Sequence, residues 1–284
     1  MEENVFSDET ELRRLKVQGR LLREYEQPVC QQVLGNRKGL TLLDVGCNDG
    51  RKTTDRFSEE HFSKVVGIDC LELLIEQAKV KYGNDAYVFH ACNVATPDFS
   101  EKIKLIMQAE KIVAFDVIYC SFLLMHLKHP LEVLGKLKSL LAPEGCLIVI
   151  EPDDTESFLK PDPEGLFSQF LKVLAADPYA GKRNSGKELA ELLQESGYSD
   201  IKLQCSEIGA TGSEISKKED IFTTFCSYLP EDLVILKKRE PEHPVYVAGW
   251  EWVEKNFEKL HRQMVSEESW VSMGVKIYTC GGIK

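Results

Sequence analysis

The hydrophobic positions fall into two regimes. Between residues 11 and 34, Leu12, Leu15, Leu22, Tyr25, Val29 and Val33 recur at steps of three, four and seven. That spacing predicts an amphipathic helix, and with it a helical N-terminal cap over residues 1–38. From Thr41 the chain turns to short apolar runs bounded by turn residues: TLLDVG, KVVGID, AYVFHA, FDVIYCSF and GCLIVIEP. Such runs read as strands buried on both faces, as in a parallel sheet covered by helices. LELLIEQAKVKYG and LEVLGKLKSLLAPEG stand between them with helical spacing, each closing on a glycine. The alternation predicts an α/β fold, a doubly wound and mostly parallel sheet, with its core over residues 39–152.

Past Glu151 the rhythm loosens. Pro152, Pro161, Pro163 and Pro178 surround one helical piece, LFSQFLKVL, which marks residues 153–185 as an insertion over the active site. GKELAELLQESGYSDIKLQC then resumes helix, glycine stop and strand, with Ser185 able to cap the helix, so residues 186–210 continue the core. Residues 211–270 are polar and helix-like, an inserted helical cap, and WVSMGVKIYTC returns the chain to the sheet as a last strand over 271–284.

Composition narrows the setting. Of the 284 residues 43% are hydrophobic and 29% charged, as in folded globular proteins. No apolar run is long enough for a membrane span, and MEENVFSDETELRR has neither the basic flank nor the apolar stretch of a secretion signal. A cytoplasmic protein without a membrane partner is expected, as a monomer or homodimer. The net charge of -11 repels a phosphate backbone, so nucleic acid is not an expected partner. Nine cysteines, an odd number without a Cys-x-x-Cys pair, predict free thiols. His126 and His129 have no carboxylate or cysteine at ligand spacing, and no metal is expected.

In an open α/β sheet ligands sit beyond the carboxyl ends of the strands, so the first strand-to-helix turn, LLDVGCNDGRKT, carries most information. A dinucleotide fingerprint needs glycine where Asn48 and Arg51 stand, and there is no Gly-Lys-Ser/Thr phosphate loop. What remains is Asp44, Gly46 and Gly50 around a sharp turn, with Asp69 closing the second strand. A carboxylate there can take both hydroxyls of a ribose.

These segments resemble the class I S-adenosylmethionine-dependent methyltransferases. DVGCNDG matches the first motif of that family, Asp/Glu-x-Gly-x-Gly-x-Gly, at Asp44, Gly46 and Gly50 and departs from it at Asn48. VVGIDCLELLIEQAK is similar to the second motif, HACNVATPDF to the segment after the third strand, and FDVIYCSFLLMHLKHP and LLAPEGCLIVIEP to the fourth and fifth. The resemblance implies a seven-stranded Rossmann-like sheet and S-adenosylmethionine as cofactor. It implies cofactor-binding roles for Asp44, Gly46, Cys47, Asn48 and Gly50 in the loop. Asp69 would hold the ribose with Cys70 or Leu71 beside the adenine, Asn93 would meet the adenine amino group, and Val94 and Ser121 would complete the cofactor-binding set. A loop poor in phosphate-cradling features and flanked by carboxylates suits a cationic sulfonium.

The acceptor is not readable from these motifs. His126, just past the fourth strand, can serve as a catalytic base, or it can simply pack the loop. Tyr119, Ser121 and Phe122 share that rim, and Glu151 and Asp153 either orient an acceptor or cap a turn. Asp116 reads as a strand-end residue that fixes local backbone. Arg183 can pair with an acceptor carboxylate, while Tyr246 and Trp250 belong to an aromatic cluster that either contacts substrate or forms a cap core. Phe122, His126, Arg183, Tyr246 and Trp250 are the expected substrate-binding set. The expectation is methyl transfer to an O, N or C atom of a small-molecule acceptor. The alternatives are a non-catalytic S-adenosylmethionine-fold binding protein, or a methyltransferase acting on a protein or RNA.

Overall fold

The periodic stretch at the start folds as α1, Glu9–Leu34, in the computed structural model, which describes residues 9–281. Pro28 lies inside this helix. Having no N–H, it cannot bond the carbonyl four residues back, that of Glu24. The chain divides into two compact units, and the first division falls at that place. A core unit comprises Tyr25–Glu151, Ser185–Ser206 and the residues from Lys276, and an accessory unit comprises the residues up to Glu24, Pro152–Asn184 and Glu207–Val275.

In the core unit strands and helices alternate as β1 (Leu40–Val45), α2 (Arg51–Arg56), β2 (Phe62–Asp69), α3 (Glu72–Tyr82), β3 (Tyr87–Ala91), α4 (Phe99–Ala109), β4 (Phe115–Ser121), α5 (Pro130–Lys138) and β5 (Leu141–Pro152). In the accessory unit follow β6 (Phe158–Lys160) and α6 (Leu166–Ala175). The chain then forms α7 (Ser185–Glu195) and β7 (Ser199–Thr211), returns to the accessory unit as α8 (Ile215–Phe225), α9 (Leu229–Arg239) and α10 (Pro244–Met264), and ends in β8 (Trp270–Gly281). The strand order is β3-β2-β1-β4-β5-β8-β6, with β7 also paired to β8. The pairs β3-β2, β2-β1, β1-β4 and β4-β5 are parallel, and β6 runs antiparallel to β8. The sheet is therefore eight-stranded, one more than the resemblance implies, and the additional strand is the three-residue β6.

Register explains the continuous apolar runs. Leu43 lies opposite Val66 and Ile118, and Val45 opposite Ile68 and Cys120; these side chains pack with Leu134 and Leu137 of α5 and Leu189 and Leu193 of α7 in one core cluster. The alternate positions Leu42, Val65, Val117 and Tyr119 are buried as well, so both faces of the sheet are covered. Each such aliphatic side chain contributes about 1.5–3 kcal/mol on burial. One residue beyond Val45, Ile68 and Cys120 come Gly46, just past the end of β1, and Asp69 and Ser121, the last residues of β2 and β4, which puts these residues along one carboxyl edge.

Several polar side chains serve this scaffold. Asp116 accepts from Thr41 N at 2.8 Å and Thr41 Oγ1 at 2.9 Å, fixing the start of β4 against β1. The Ser185 hydroxyl, in the first turn of α7, donates to Glu151 Oε2 at 2.8 Å. Tyr119 is not at the rim either. It is 1% exposed, because the inward-facing phase of β4 carries its ring against Phe57. All nine cysteines are free, Cys70 is exposed, and Cys47, Cys92 and Cys120 are buried.

Candidate active site

The loop between β1 and α2 is a self-contained hydrogen-bonded turn. Gly46 N and Cys47 N both donate to Ile68 O, at 2.8 and 3.1 Å, and Gly50 N donates to Cys47 O at 3.0 Å. Asn48 N donates to Asp69 Oδ2 at 3.0 Å, Asp49 N to Asn48 Oδ1 at 2.7 Å, and Arg51 N to Asp49 Oδ1 at 3.2 Å. Each backbone N–H from 46 to 51 is thus engaged within the protein. A diphosphate is recognised by such N–H groups pointing outward from the start of the helix. This loop offers it none of these six, and sets Asp44, Asp49 and Asp69 near it instead.

The turn needs left-handed backbone at Gly46 (φ 82°), Asn48 (φ 50°) and Gly50 (φ 73°). Asparagine tolerates that region better than most side chains, which accounts for Asn48 in place of glycine. Gly50 is required for a further reason. A Cβ there would lie 2.7 Å from Phe89 Cε1 and 2.9 Å from Ala78 Cβ, and one on Gly67 would lie 2.6 Å from Phe89 Cδ1. The Phe89 ring thus occupies space above two glycines, so Gly50 serves the packing of β3 against the loop.

Asp69 joins the two halves of the edge, accepting from Asn48 N and, at 2.9 Å, from Leu71 N. Each carboxylate oxygen has a second acceptor site, so a half-buried Asp69 retains capacity for a pair of hydroxyls. Asp44 is 3% exposed and accepts from Thr53 Oγ1 at 2.6 Å; burial pushes its carboxyl up to about 6. Cys47 is buried, and burial raises its thiol well above the usual range. Cys70 is exposed beside Asp69, and Asn93 is exposed past β3 with Oδ1 accepting from Ala95 N at 2.9 Å. The Val94 side chain points into the core cluster.

At the end of β4, Ser121 Oγ accepts from Lys52 Nζ at 2.7 Å. Phe122 follows in left-handed backbone (φ 52°), strained for an aromatic residue, and its N–H donates to Ile150 O at 2.8 Å. The next turn is clamped by Glu151, whose Oε1 accepts from Leu123 N at 3.1 Å and Leu124 N at 2.7 Å and whose Oε2 accepts from Met125 N at 3.1 Å. Glu151 is fully buried, and burial pushes its carboxyl up to about 7. It caps this turn, and Asp153 caps another through Thr155 N at 3.3 Å. The clamped turn presents His126 on the surface.

Glu26, Lys52 and Arg56 form a polar group for which the sequence reading had no place. Glu26, 1% exposed, accepts from Tyr119 Oη at 2.9 Å and pairs with Lys52 at 2.9 Å and Arg56 at 2.5 Å. A signal was present, since Glu26 stands on the stripe of Leu22, Val29 and Val33, a charge on an apolar helix face.

The other expected substrate residues belong to the accessory unit. Arg183 holds a carboxylate bidentately, but the carboxylate is the protein's own Asp154, at 2.9 Å through both Nε and Nη2. Tyr246 stacks on His243 with centroids 4.1 Å apart, and Lys237 lies over the Trp250 ring at 5.1 Å. Tyr246 also lines an open cavity of about 510 Å³ between α6, α9 and α10, whose walls include Val173, Leu233, Gly249 and Trp252. Trp252 Nε1 donates to Gln169 Oε1 at 3.0 Å on that wall. Among the described residues no helix is long and apolar enough to cross a membrane.

A doubly wound sheet with an acidic strand-end residue beside a phosphate-averse glycine turn defines a class I, Rossmann-like methyltransferase core. Residues 17–203 match the methyltransferase domain family, and the chain belongs to it. The tRNA U34 carboxymethyltransferase of Haemophilus influenzae is 28% identical over 195 residues, 64% of this chain and 52% of that protein. The chain spans about half the length of the curated relatives it matches. Among solved structures, phosphoethanolamine N-methyltransferase 2 of Haemonchus contortus with bound S-adenosylmethionine has a TM-score of 0.52 at 12% identity, covering 98% of this chain and 59% of that one. The [4+2]-cyclase SpnF has a TM-score of 0.51 at 17% identity, covering 90% and 80%. These two likenesses are of fold. The family's cofactor is S-adenosylmethionine, and the residues present fit it: hydroxyl acceptors at Asp69, no outward N–H array in the loop, and carboxylates near a cation.

Proposed function

We propose that this chain transfers a methyl group from S-adenosylmethionine to an O, N or C atom of a small-molecule acceptor. The engaged N–H groups of residues 46–51 carry the cofactor reading, because they disfavour a diphosphate and leave the Asp69 carboxylate as the recognition element. When bound, the cofactor supplies an electrophilic methyl group on a sulfonium. Asp69 accepts the ribose hydroxyls, Cys70 and Asn93 border the adenine, and the turn from Gly46 to Gly50 fixes the cofactor against the strand ends. Holding the acceptor in line supplies up to about 7–11 kcal/mol of the barrier, so positioning is the main catalytic task. Glu151 keeps the Leu123–Met125 turn in one conformation, and His126 takes a proton where the acceptor is a hydroxyl.

The small-molecule reading is supported by the net charge of -11. The second reading is transfer to tRNA, the molecule that the curated relatives are named for. A third is a core that binds the cofactor without methyl transfer, since a fold of this kind also carries the name of a cyclase. Incubation with methyl-labelled S-adenosylmethionine, bulk tRNA and a fractionated metabolite extract separates the three. Label in the metabolite fraction is expected; label in tRNA establishes the second reading, and binding without label in either favours the third.

A further inference from the structure

Lys52 stands two residues past Gly50, in the first turn of α2. Its ammonium lies 2.7 Å from Ser121 Oγ, 2.9 Å from Glu26 Oε1 and 5.1 Å from the Tyr119 ring centroid. An ammonium has three donors, and these two polar contacts use two. Glu26 is also paired with Arg56, so the group of three carries one positive charge in excess. Arg56 is 4% exposed at its side chain, whereas Lys52 retains 22%. The other nearby cation, Arg51, leans on Asp49 at 3.0 Å. Lys52 is therefore the cation held at the β4 side of an otherwise acidic crevice.

The edge register gives this cation a direction. Asp69, Gly46 and Ser121 stand at the ends of three adjacent strands, so Asp69 and Ser121 are separated by two strand spacings, about 10 Å. A ligand with its ribose at Asp69 and its body across Gly46 has its far end beside Ser121 and Lys52. For S-adenosylmethionine that end is an amino acid with a free carboxylate.

We propose that Lys52, seated by Glu26 and Ser121, binds the α-carboxylate of the cofactor, so that Asp69 and Lys52 hold its two ends. This rests on the S-adenosylmethionine reading above. The test compares two ligands that share the adenosine and differ in the amino acid end: S-adenosylhomocysteine, which has the carboxylate, and methylthioadenosine, which lacks it. Titration calorimetry of Lys52→Met is expected to show S-adenosylhomocysteine affinity reduced about ten- to hundredfold, the loss of one charge-assisted bond, with methylthioadenosine affinity unchanged. Lys52→Arg retains most of the preference. The double variant Glu26→Gln/Lys52→Met, which leaves no buried acid short of a cation, gives the same pattern if the single variant is unstable. Equal loss for both ligands, or no loss for either in a folded variant, overturns the proposal while leaving the cofactor reading in place. A wild-type protein that binds neither ligand overturns the cofactor reading itself and this assignment with it.

Discussion

Replacing Asp69 perturbs two functions of one carboxylate. It accepts from the N–H groups of Asn48 and Leu71, and each of its oxygens keeps a second acceptor site that a ribose hydroxyl would use. Asp69→Ala removes a charge-assisted hydrogen bond to the ligand, worth about 1.5–3 kcal/mol. That corresponds to a fall in S-adenosylhomocysteine affinity of about tenfold to over a hundredfold. The two backbone donors are part-exposed, so water replaces the lost carboxylate there, and the cost to stability is about 1 kcal/mol. Asp69→Asn perturbs both functions partially. It keeps one acceptor oxygen for one backbone donor but sets an amide N–H against the other, so stability falls by about 1 kcal/mol as in the alanine variant, while one acceptor oxygen remains and ribose binding weakens less. Titration calorimetry with S-adenosylhomocysteine, beside a thermal melt of each variant, reads both effects, and NADH serves as a diphosphate control that should not bind. A folded Asp69→Ala protein with wild-type affinity would show that the ribose is held elsewhere.

Gly50→Ala should cost about 2–5 kcal/mol, from left-handed backbone together with a Cβ driven into Phe89, and urea melts with an unchanged slope would report it. Glu26→Ala leaves Lys52 and Arg56 facing each other without their buried acid, so a loss of about 3–5 kcal/mol is expected, and less for Glu26→Gln. Burial raises the Asp44 carboxyl to about 6 from 3.8. Its contribution to stability is therefore complete below pH 3.8 and is lost as pH rises through about 6. Asp44→Asn should gain on the wild type by about 2–3 kcal/mol between acid and neutral pH, and a constant difference in melting temperature across that window would contradict it. Cys70, exposed beside Asp69, should be the first cysteine alkylated in the native state and should be protected by S-adenosylhomocysteine; Cys70 alkylation undiminished by saturating ligand would refute the adenine position.

The fold was legible because both faces of the sheet are buried. Runs such as FDVIYCSF have no polar face to confuse with a helix, but the glycine signal held only in part: Gly83 caps α3, whereas Gly145 lies inside β5, beyond the end of α5 at Lys138. The glycine turn was legible for a similar reason, since left-handed backbone restricts residue choice to Gly and, at position 48, Asn. Aliphatic runs and turn residues are local necessities, and a linear chain displays them. Tertiary structure decided the partnerships. Whether Arg183 meets a ligand or Asp154, which carboxylate Ser185 serves, and whether Tyr119 faces the rim or Glu26 depend on what packing brings within 3 Å. The links from Glu26 to Lys52 and from Lys52 to Ser121 join residues far apart in the chain, and no local preference encodes them. A charge can be read from the sequence, but its counter-charge is chosen only when the chain closes around it.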